Sequence, residues 1–294
     1  MAKTVGVVGL GIMGGAIARN LVDRGWRVFG SDANRDRCRE LAATGVEILT
    51  TVGALVHAAP VILTSLPSPA AAGAVASEIA RAAAPKRVVA ELSTLAIADK
   101  LAFHERLVAA GHVALDCPLS GTGAQAMTRD LVAYCSGDSD AIAALGPLFG
   151  DFARKAVDLG AFGNGSRMKY VANLLVAIHN VASAEAMVLA MKAGLDPNQV
   201  IEVVGAGAGA SRMFEMRAPM MAKDCYEPPT MRVSTWQKDM SIINAFAREL
   251  GCATPCFDAS RSIYDDALQY GFGDLDTAAV CRVLEEHAGG ARTI

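Results

Sequence analysis

The segment Gly9-Leu10-Gly11-Ile12-Met13-Gly14 near the start of the chain carries glycines at the spacing GxGxxG. It follows an apolar stretch typical of a β-strand and opens a predicted helix. In that setting the glycines allow a tight turn, a close approach of the backbone to a pyrophosphate, and close packing of helix on strand. The segment therefore predicts a dinucleotide-binding turn, with a purely structural glycine-rich turn as the alternative.

An acidic residue, Asp32, ends the second predicted strand, 21 residues after Gly11. A carboxylate at this point binds the hydroxyls of the adenosine ribose and repels a 2′-phosphate. We therefore expect NAD as the cofactor. Arg35 and Arg37 follow closely, and a guanidinium that turned toward a phosphate would admit NADP, so that cofactor stays open.

Lys169 and Asn173 stand four residues apart in a stretch of helical period, which places them about 40° apart on one helix face. Oxidation of an alcohol by hydride transfer needs a base that accepts the hydroxyl proton. A partly desolvated lysine beside a cationic nicotinamide gives up its own proton more readily and can act as that base. A lysine near a helix start is otherwise a solvated surface residue.

Polar residues also follow other predicted strands, at the sheet edge where ligands bind in such folds. Ser120-Gly121-Thr122 can offer successive N–H groups and two hydroxyls to a carboxylate, or can be a plain surface turn. Thr94 is expected near the nicotinamide ribose or the substrate. Leu66 and Pro67, at the end of the preceding strand, are expected to form a wall of the cofactor site.

These segments are positioned by a regular alternation between residue 4 and about residue 157. Short β-branched runs alternate with Ala-rich stretches of helical period, which is typical of βαβ units on a parallel sheet. The predicted strands are Val5–Gly9, Arg27–Ser31, Val61–Ser65, Val88–Leu92, Val113–Asp116, Leu131–Ser136 and Ala153–Val157.

The alternation stops after Gly165, and neither Gly nor Pro occurs for the 28 residues that precede Gly194. We predict one long helix over about 166–194, followed only by helices. The predicted fold is therefore a Rossmann-type doubly wound α/β sheet followed by an all-α domain, with boundaries at 1–164 and 165–294. A helix of that length spans roughly 42 Å, more than one small domain covers, so we expect a homodimer or a homotetramer.

The composition argues against nucleic acid and membranes as partners. The 294 residues include 27 Lys and Arg against 30 Asp and Glu, a formal charge of −3, so there is no basic footprint for nucleic acid. Residues 54–77 lack charge, but Pro60, Pro67 and Pro69 interrupt them, and no membrane span is predicted there. The early glycines also argue against a secretory signal.

The seven cysteines and five histidines show no CxxC, HxH or HExxH spacing. We therefore expect reduced thiols, a cytoplasmic location and no protein-bound metal.

Four motifs, taken in order, resemble those of the β-hydroxyacid dehydrogenase family. They are the cofactor signature at 7–14, Asp116-Cys117-Pro118-Leu119-Ser120-Gly121-Thr122-Gly123, the segment 163–169 with Asn173, and Lys238-Asp239. Thr122 replaces a glycine that is common in the family, and Ala172 replaces a frequent Asn. The segments 93–96 and 211–215 are most similar to the family's threonate-like branch.

This resemblance implies NAD(P)-dependent oxidation of a small 3-hydroxy acid, with Lys169 as general acid/base, Asn173 beside it, and Lys238 reaching the cofactor. Two alternatives share the scaffold. Imine reductases typically lack the catalytic lysine, and a non-catalytic dinucleotide-binding protein would lack the lysine or the asparagine. Both residues are present here.

Overall fold

Residues 3–290 are described in a computed structural model, and the chain falls into two units, Met1–Lys169 and Tyr170–Ile294. The long predicted helix starts at Asn164 and ends at Lys192. Its first turn therefore belongs to the first unit and the remainder to the second.

The main sheet of the first unit has six parallel strands. They are β1 (Thr4–Val8), β2 (Arg27–Ser31), β3 (Glu47–Ile48), β4 (Val61–Thr64), β5 (Val88–Glu91) and β6 (Val113–Asp116). The strands lie in the order β3-β2-β1-β4-β5-β6. Val8 pairs with Thr64, Thr64 with Glu91 and Glu91 with Asp116, so the carboxyl ends of four strands lie in one row.

Five helices connect these strands. They are α1 (Ile12–Asp23), α2 (Arg35–Ala42), α3 (Val52–Ala58), α4 (Pro69–Arg81) and α5 (Ile97–Ala109). Successive residues of a strand pack into two different cores: Val7 of β1 belongs to one and Val8 to the other. One core contains Ile17 and Leu41 from α1 and α2, and the other contains buried residues of α3, α4 and α5. This doubly wound arrangement confirms the predicted fold class.

The chain between residues 117 and 163 forms a second, smaller sheet. Its strands are β7 (Leu119–Ser120), β8 (Val132–Cys135) and β9 (Lys155–Asp158), with helices α6 (Gly123–Met127), α7 (Ser139–Ala144) and α8 (Gly146–Phe152). β7 runs antiparallel to β8, and β8 parallel to β9. The expectation that the last two strands extend the parallel sheet was wrong. Ser136, after β8, pairs with Asp116, at the end of β6, in an antiparallel bridge, so the chain reverses direction after β6. The two-residue strand β7 is too short to show a periodic pattern in the sequence.

The second unit is helical, as predicted, and residues 170–290 contain no β-strand. Its elements are α9 (Asn164–Lys192), α10 (Pro197–Gly205), α11 (Arg212–Ala222), α12 (Val233–Glu249), α13 (Pro255–Gln269), a short 3-10 helix (Thr277–Ala279) and α14 (Val280–His287). Asp196 caps α10 and Ser211 caps α11 through their side chains, which explains why each helix begins where it does.

Candidate active site

The glycine-rich turn leaves no room for side chains at two of its glycines. Gly9 has φ +91°, and a Cβ on it would stand 2.1 Å from the Ser65 carbonyl oxygen. A Cβ on Gly14 would stand 1.9 Å from the carbonyl oxygen of Gly9. Helix α1 then begins after Gly11 with no side-chain cap. Its first N–H groups are left for an anion, which fits a dinucleotide pyrophosphate.

The other predicted cofactor residues surround this turn. Asp32 accepts hydrogen bonds from the N–H of Leu10 at 2.6 Å and from that of Asn34 at 2.7 Å. The Arg37 guanidinium lies 3.1 Å from where a Cβ on Gly11 would be. A carboxylate and a guanidinium therefore both lie beside the turn. Ile12 is 71% exposed, while Met13 packs against the core.

The ends of β4 and β5 are tied together. The N–H of Leu66 donates to Ser93 Oγ at 2.7 Å, and the N–H of Ser93 donates to Glu91 Oε1 at 3.0 Å. Leu66 is buried, Pro67 is exposed and Thr94 is half-buried. The segment that carries Thr94 is therefore fixed to the segment expected to wall the cofactor.

The predicted acid-binding loop differs from a plain turn. Ser120 lies in β7, and Gly121 has φ +134°. Thr122 caps α6 in a capping box: its N–H donates to Gln125 Oε1 at 3.0 Å, and its hydroxyl accepts from the N–H of Gln125 at 3.5 Å. The spacing Thr-x-x-Gln was the signal for this box. Thr122 therefore has a capping role that competes with binding an acid.

A buried ion cluster lies under the row of strand ends, and sequence reasoning missed it. Lys100 of α5 is fully buried and pairs with Glu91 and Asp116, both also fully buried. Burial disfavours the Lys100 ammonium, but the charges of Glu91 and Asp116 outweigh this and raise the pKa of Lys100. The signal was a lysine on the apolar face that α5 presents with Phe103 and Leu107.

The same cluster anchors the start of α9. Ser166 donates to Asp116 through its N–H at 2.7 Å and through its hydroxyl at 2.8 Å, and the N–H of Gly165 donates to Ser136 Oγ at 2.9 Å. Lys169 follows one turn later and is only 8% exposed. The predicted base therefore directly follows a first turn of α9 that is pinned to the carboxyl end of β6.

In the second unit, the predicted Asn173 and Lys238 meet at a third residue, Asp239. Asn173 is 4% exposed and donates through Nδ2 to Asp239 Oδ2 at 2.8 Å. Lys238 Nζ lies 3.4 Å from Asp239 Oδ1. Asp239 is not among the predicted site residues, although the Lys238-Asp239 pair is one of the four motifs that resemble the family's. Among residues 3–290, no group of three or more His, Cys, Asp or Glu side chains is arranged to hold a metal ion.

The strand order, the uncapped glycine turn at the carboxyl edge and the carboxylate after β2 define a dinucleotide-binding protein. Two family models match the chain in agreement with this class. "NAD binding domain of 6-phosphogluconate dehydrogenase" matches residues 4–160. "NAD-binding of NADP-dependent 3-hydroxyisobutyrate dehydrogenase" matches residues 163–284.

Whole-chain relatives agree. An L-threonate dehydrogenase of Cupriavidus necator is 30% identical, with 97% of each chain covered. The chloroplastic glyoxylate/succinic semialdehyde reductase 2 of Arabidopsis thaliana is 28% identical over 96% of this chain and 79% of that protein. The solved 3-hydroxyisobutyrate dehydrogenase of Mycobacterium tuberculosis with L-serine superposes with a TM-score of 0.87 at 27% identity, covering 97% of this chain and 99% of that one.

The chain belongs to the β-hydroxyacid dehydrogenase family. It is an NAD(P)-dependent hydroxyacid dehydrogenase that acts on a small molecule, as the sequence motifs predicted. These matches support that prediction over the imine reductase and non-catalytic alternatives.

Proposed function

We propose that the chain oxidises a small 3-hydroxy acid with Lys169 as the general base. The observation that supports this most directly is the double hydrogen bond from Ser166 to Asp116. It fixes the first turn of α9 at the carboxyl edge of the sheet, where ligands of such folds bind, and Lys169 follows on the next turn.

The nicotinamide cofactor, when bound, accepts the hydride. The uncapped turn after Gly11 and the Asp32 carboxylate would hold the dinucleotide. Lys169 Nζ accepts the proton of the substrate hydroxyl. Because the Asn173 amide nitrogen donates to Asp239, its oxygen is the end that accepts a hydrogen bond from the reacting groups. Ser120 and Gly121 bind the carboxylate of the acid, and Thr94 contacts the substrate or the nicotinamide ribose.

Replacing Lys169 tests this assignment. Lys169→Ala should lower kcat by roughly 10²- to 10⁴-fold, the usual contribution of general acid–base catalysis, with little change in dinucleotide affinity. Lys169→Arg should not restore the rate, because a guanidinium stays protonated. A kcat above about a third of the native value in Lys169→Ala, far short of that range, would assign the base to another group.

The substrate is proposed to be a 3-hydroxy acid of the threonate, glycerate or 3-hydroxyisobutyrate type. The relatives' names, L-threonate dehydrogenase and 3-hydroxyisobutyrate dehydrogenase, support this range. Initial rates with L-threonate, glycerate and 3-hydroxyisobutyrate, each with NAD and with NADP, would identify the acid. No oxidation of any of the three would contradict the proposal.

NAD is proposed as the preferred cofactor. The Asp32 carboxylate beside the turn favours ribose hydroxyls and repels a 2′-phosphate. The nearby Arg37 guanidinium works in the opposite direction. A several-fold preference for NAD in kcat/KM should fall in Asp32→Ala and rise in Arg37→Ala. Equal kcat/KM for the two cofactors in the native protein would overturn this assignment.

A homodimer or homotetramer is proposed to form along α9. Four exposed apolar side chains, Met168, Val171, Leu175 and Leu189, recur at helical spacing along it. This helix is long and apolar enough to cross a membrane by length and composition alone, but the core helix of a soluble protein passes the same test. Its buried polar residues, among them Lys169, Asn173 and Asn180, favour a protein environment.

Light scattering on Leu175→Glu tests this face. A charge in the middle of an apolar subunit interface should dissociate it. The control is Leu101→Glu, an exposed leucine of α5. A native protein that is monomeric at micromolar concentration would contradict the assembly.

A further inference from the structure

The ammonium of Lys100 lies between two of the segments proposed to carry the reaction. It contacts Glu91 Oε2, lies 3.4 Å from the Glu91 carbonyl oxygen, and lies 2.9 Å from Asp116 Oδ1. These three acceptors match the three hydrogens of an ammonium. Lys100 is fully buried, so water does not compete for any of them.

Each carboxylate extends the contact in a different direction. Glu91 accepts the N–H of Ser93, whose hydroxyl accepts the N–H of Leu66. This branch fixes Leu66, a residue of the proposed cofactor wall, to the segment of Thr94. Asp116 accepts both donors of Ser166, and this branch fixes the turn that precedes Lys169.

The charges of the cluster are compensated only when the start of α9 is included. Lys100 with Glu91 and Asp116 carries a formal charge of −1, and the N-terminus of α9 at Asp116 contributes a compensating positive dipole. A buried cluster of this kind is weak evidence for stability, since well-packed apolar residues often stabilise as much. Its distinguishing property is that it joins two strand ends and one helix start through directional bonds.

We propose that Lys100 is a positioning residue for the dehydrogenase reaction. By holding Glu91 and Asp116 together, it sets the distance between the Thr94 segment and the first turn of α9. Lys100 itself touches neither substrate nor cofactor. The consequence for catalysis rests on the proposed role of Lys169, whereas the consequence for the two segments does not.

The test uses a double variant, Lys100→Met/Glu91→Gln. It keeps the formal charge of the cluster at −1, nearly keeps the volume, and leaves an oxygen at residue 91 for the N–H of Ser93. The matched control is Phe103→Leu, one turn further along α5 and also buried, which loosens the helix packing and leaves the three charged residues unchanged. Both are assayed well below their unfolding temperatures.

In the double variant kcat should fall by about 10- to 100-fold, the scale expected when reacting groups shift by about 1 Å. The dissociation constant for the dinucleotide should stay within about threefold, because the glycine-rich turn and Asp32, proposed to hold most of the dinucleotide, take part in none of the hydrogen bonds of the cluster described above. Amide hydrogen exchange should accelerate in peptides covering 92–97 and 163–169 and stay native in a peptide covering 5–15. Phe103→Leu should keep its kcat within about twofold, since it removes only packing.

Unchanged exchange in both peptides of the folded double variant overturns the proposal, whatever the activity. Faster exchange with native kcat also overturns it, because the cluster would then serve folding alone. If Lys169→Ala remains active, the proposed base fails, but the exchange result still decides whether Lys100 fixes the two segments.

If the double variant does not fold, Ser166→Ala and Ser166→Thr decide the matter. Loss of the Ser166 hydroxyl should lower kcat several-fold, and the threonine hydroxyl should restore it. Native kcat in Ser166→Ala overturns the proposal.

Discussion

The cofactor turn of the first unit and the helical core of the second place their polar groups by different means. In the first, the cofactor turn is built from main-chain atoms, and its glycines are required because a Cβ would collide with backbone carbonyls. In the second, polar side chains far apart in the sequence pair inside the helical core. Asn180 donates to the Tyr264 hydroxyl at 2.8 Å and to the Thr277 carbonyl at 2.9 Å.

The Arg217–Asp276 pair is the second unit's main example. Arg217 is 3% exposed and Asp276 is fully buried, and Asp276 also accepts the N–H and hydroxyl of Thr230. This pair holds the loop between α11 and α12, whereas Lys100 in the first unit holds strand ends. The contrast teaches that a glycine required by the backbone can be recognised in the sequence, whereas the partner of a buried charged side chain cannot.

Breaking the buried pair should have the largest effect on stability. Arg217→Met leaves Asp276 charged and unpaired, so the free energy of unfolding should fall by about 3–5 kcal/mol. Arg217→Met/Asp276→Asn should recover part of that loss. Denaturant unfolding followed by Trp236, in a Trp26→Phe background that silences the other tryptophan, reports on the second unit.

The control for this pair is Arg212→Met, which breaks an exposed ion pair with Glu215 and should cost less than about 1 kcal/mol. A loss of similar size in Arg217→Met would show that the buried pair contributes no more than a surface pair.

A smaller loss in the free energy of unfolding is expected when the glycine-rich turn of the first unit is changed. Gly14→Ala forces a methyl group against the Gly9 carbonyl oxygen, and the resulting strain should cost about 1–3 kcal/mol. Dinucleotide binding, measured by fluorescence titration, should weaken by at least about tenfold. Gly73→Ala, where a Cβ would meet nothing within 4 Å, is the control. Native affinity in Gly14→Ala would show that the turn does not bind the dinucleotide.

The smallest effect is expected from a buried histidine of the first unit. His112 is 5% exposed and accepts the N–H of Arg87 at 3.1 Å. Burial lowers the pKa of His112 below its usual 6.5, so the fold favours the neutral ring. Below pH 6.5 the unfolded chain therefore binds more protons, and stability falls as the pH falls through that value.

His112→Gln keeps an acceptor for Arg87 but does not titrate, so it should lose less stability on acidification than the native protein. Urea unfolding at several pH values measures this. A difference between the two proteins that stays constant between pH 5 and 8 would contradict it.

The sequence was informative where residue type encodes local geometry. The parallel sheet, the glycine turn, the long helix and the helical second half followed from periodicity and from glycine positions. The small sheet did not, because β7 has only two residues and shows no pattern. Lys100 and Asp239 were missed for a different reason. Glu91 lies 9 residues from Lys100, Asn173 lies 66 residues from Asp239, and only the folded chain brings these pairs together.

Helix α1 contacts the helix that follows the proposed acid-binding loop. Its Asn20 donates to the Ala126 carbonyl of α6 at 2.8 Å, and Ile12 at its start lies against Gly123. The helix that follows the proposed dinucleotide turn therefore also supports the helix that follows the proposed acid loop. Two ligands that bind to parts of one such rigid pair change each other's affinity by the same factor. Occupancy of either site should therefore change the affinity of the other, and the factor measured for the acid with the dinucleotide bound should equal the factor measured for the dinucleotide with the acid bound.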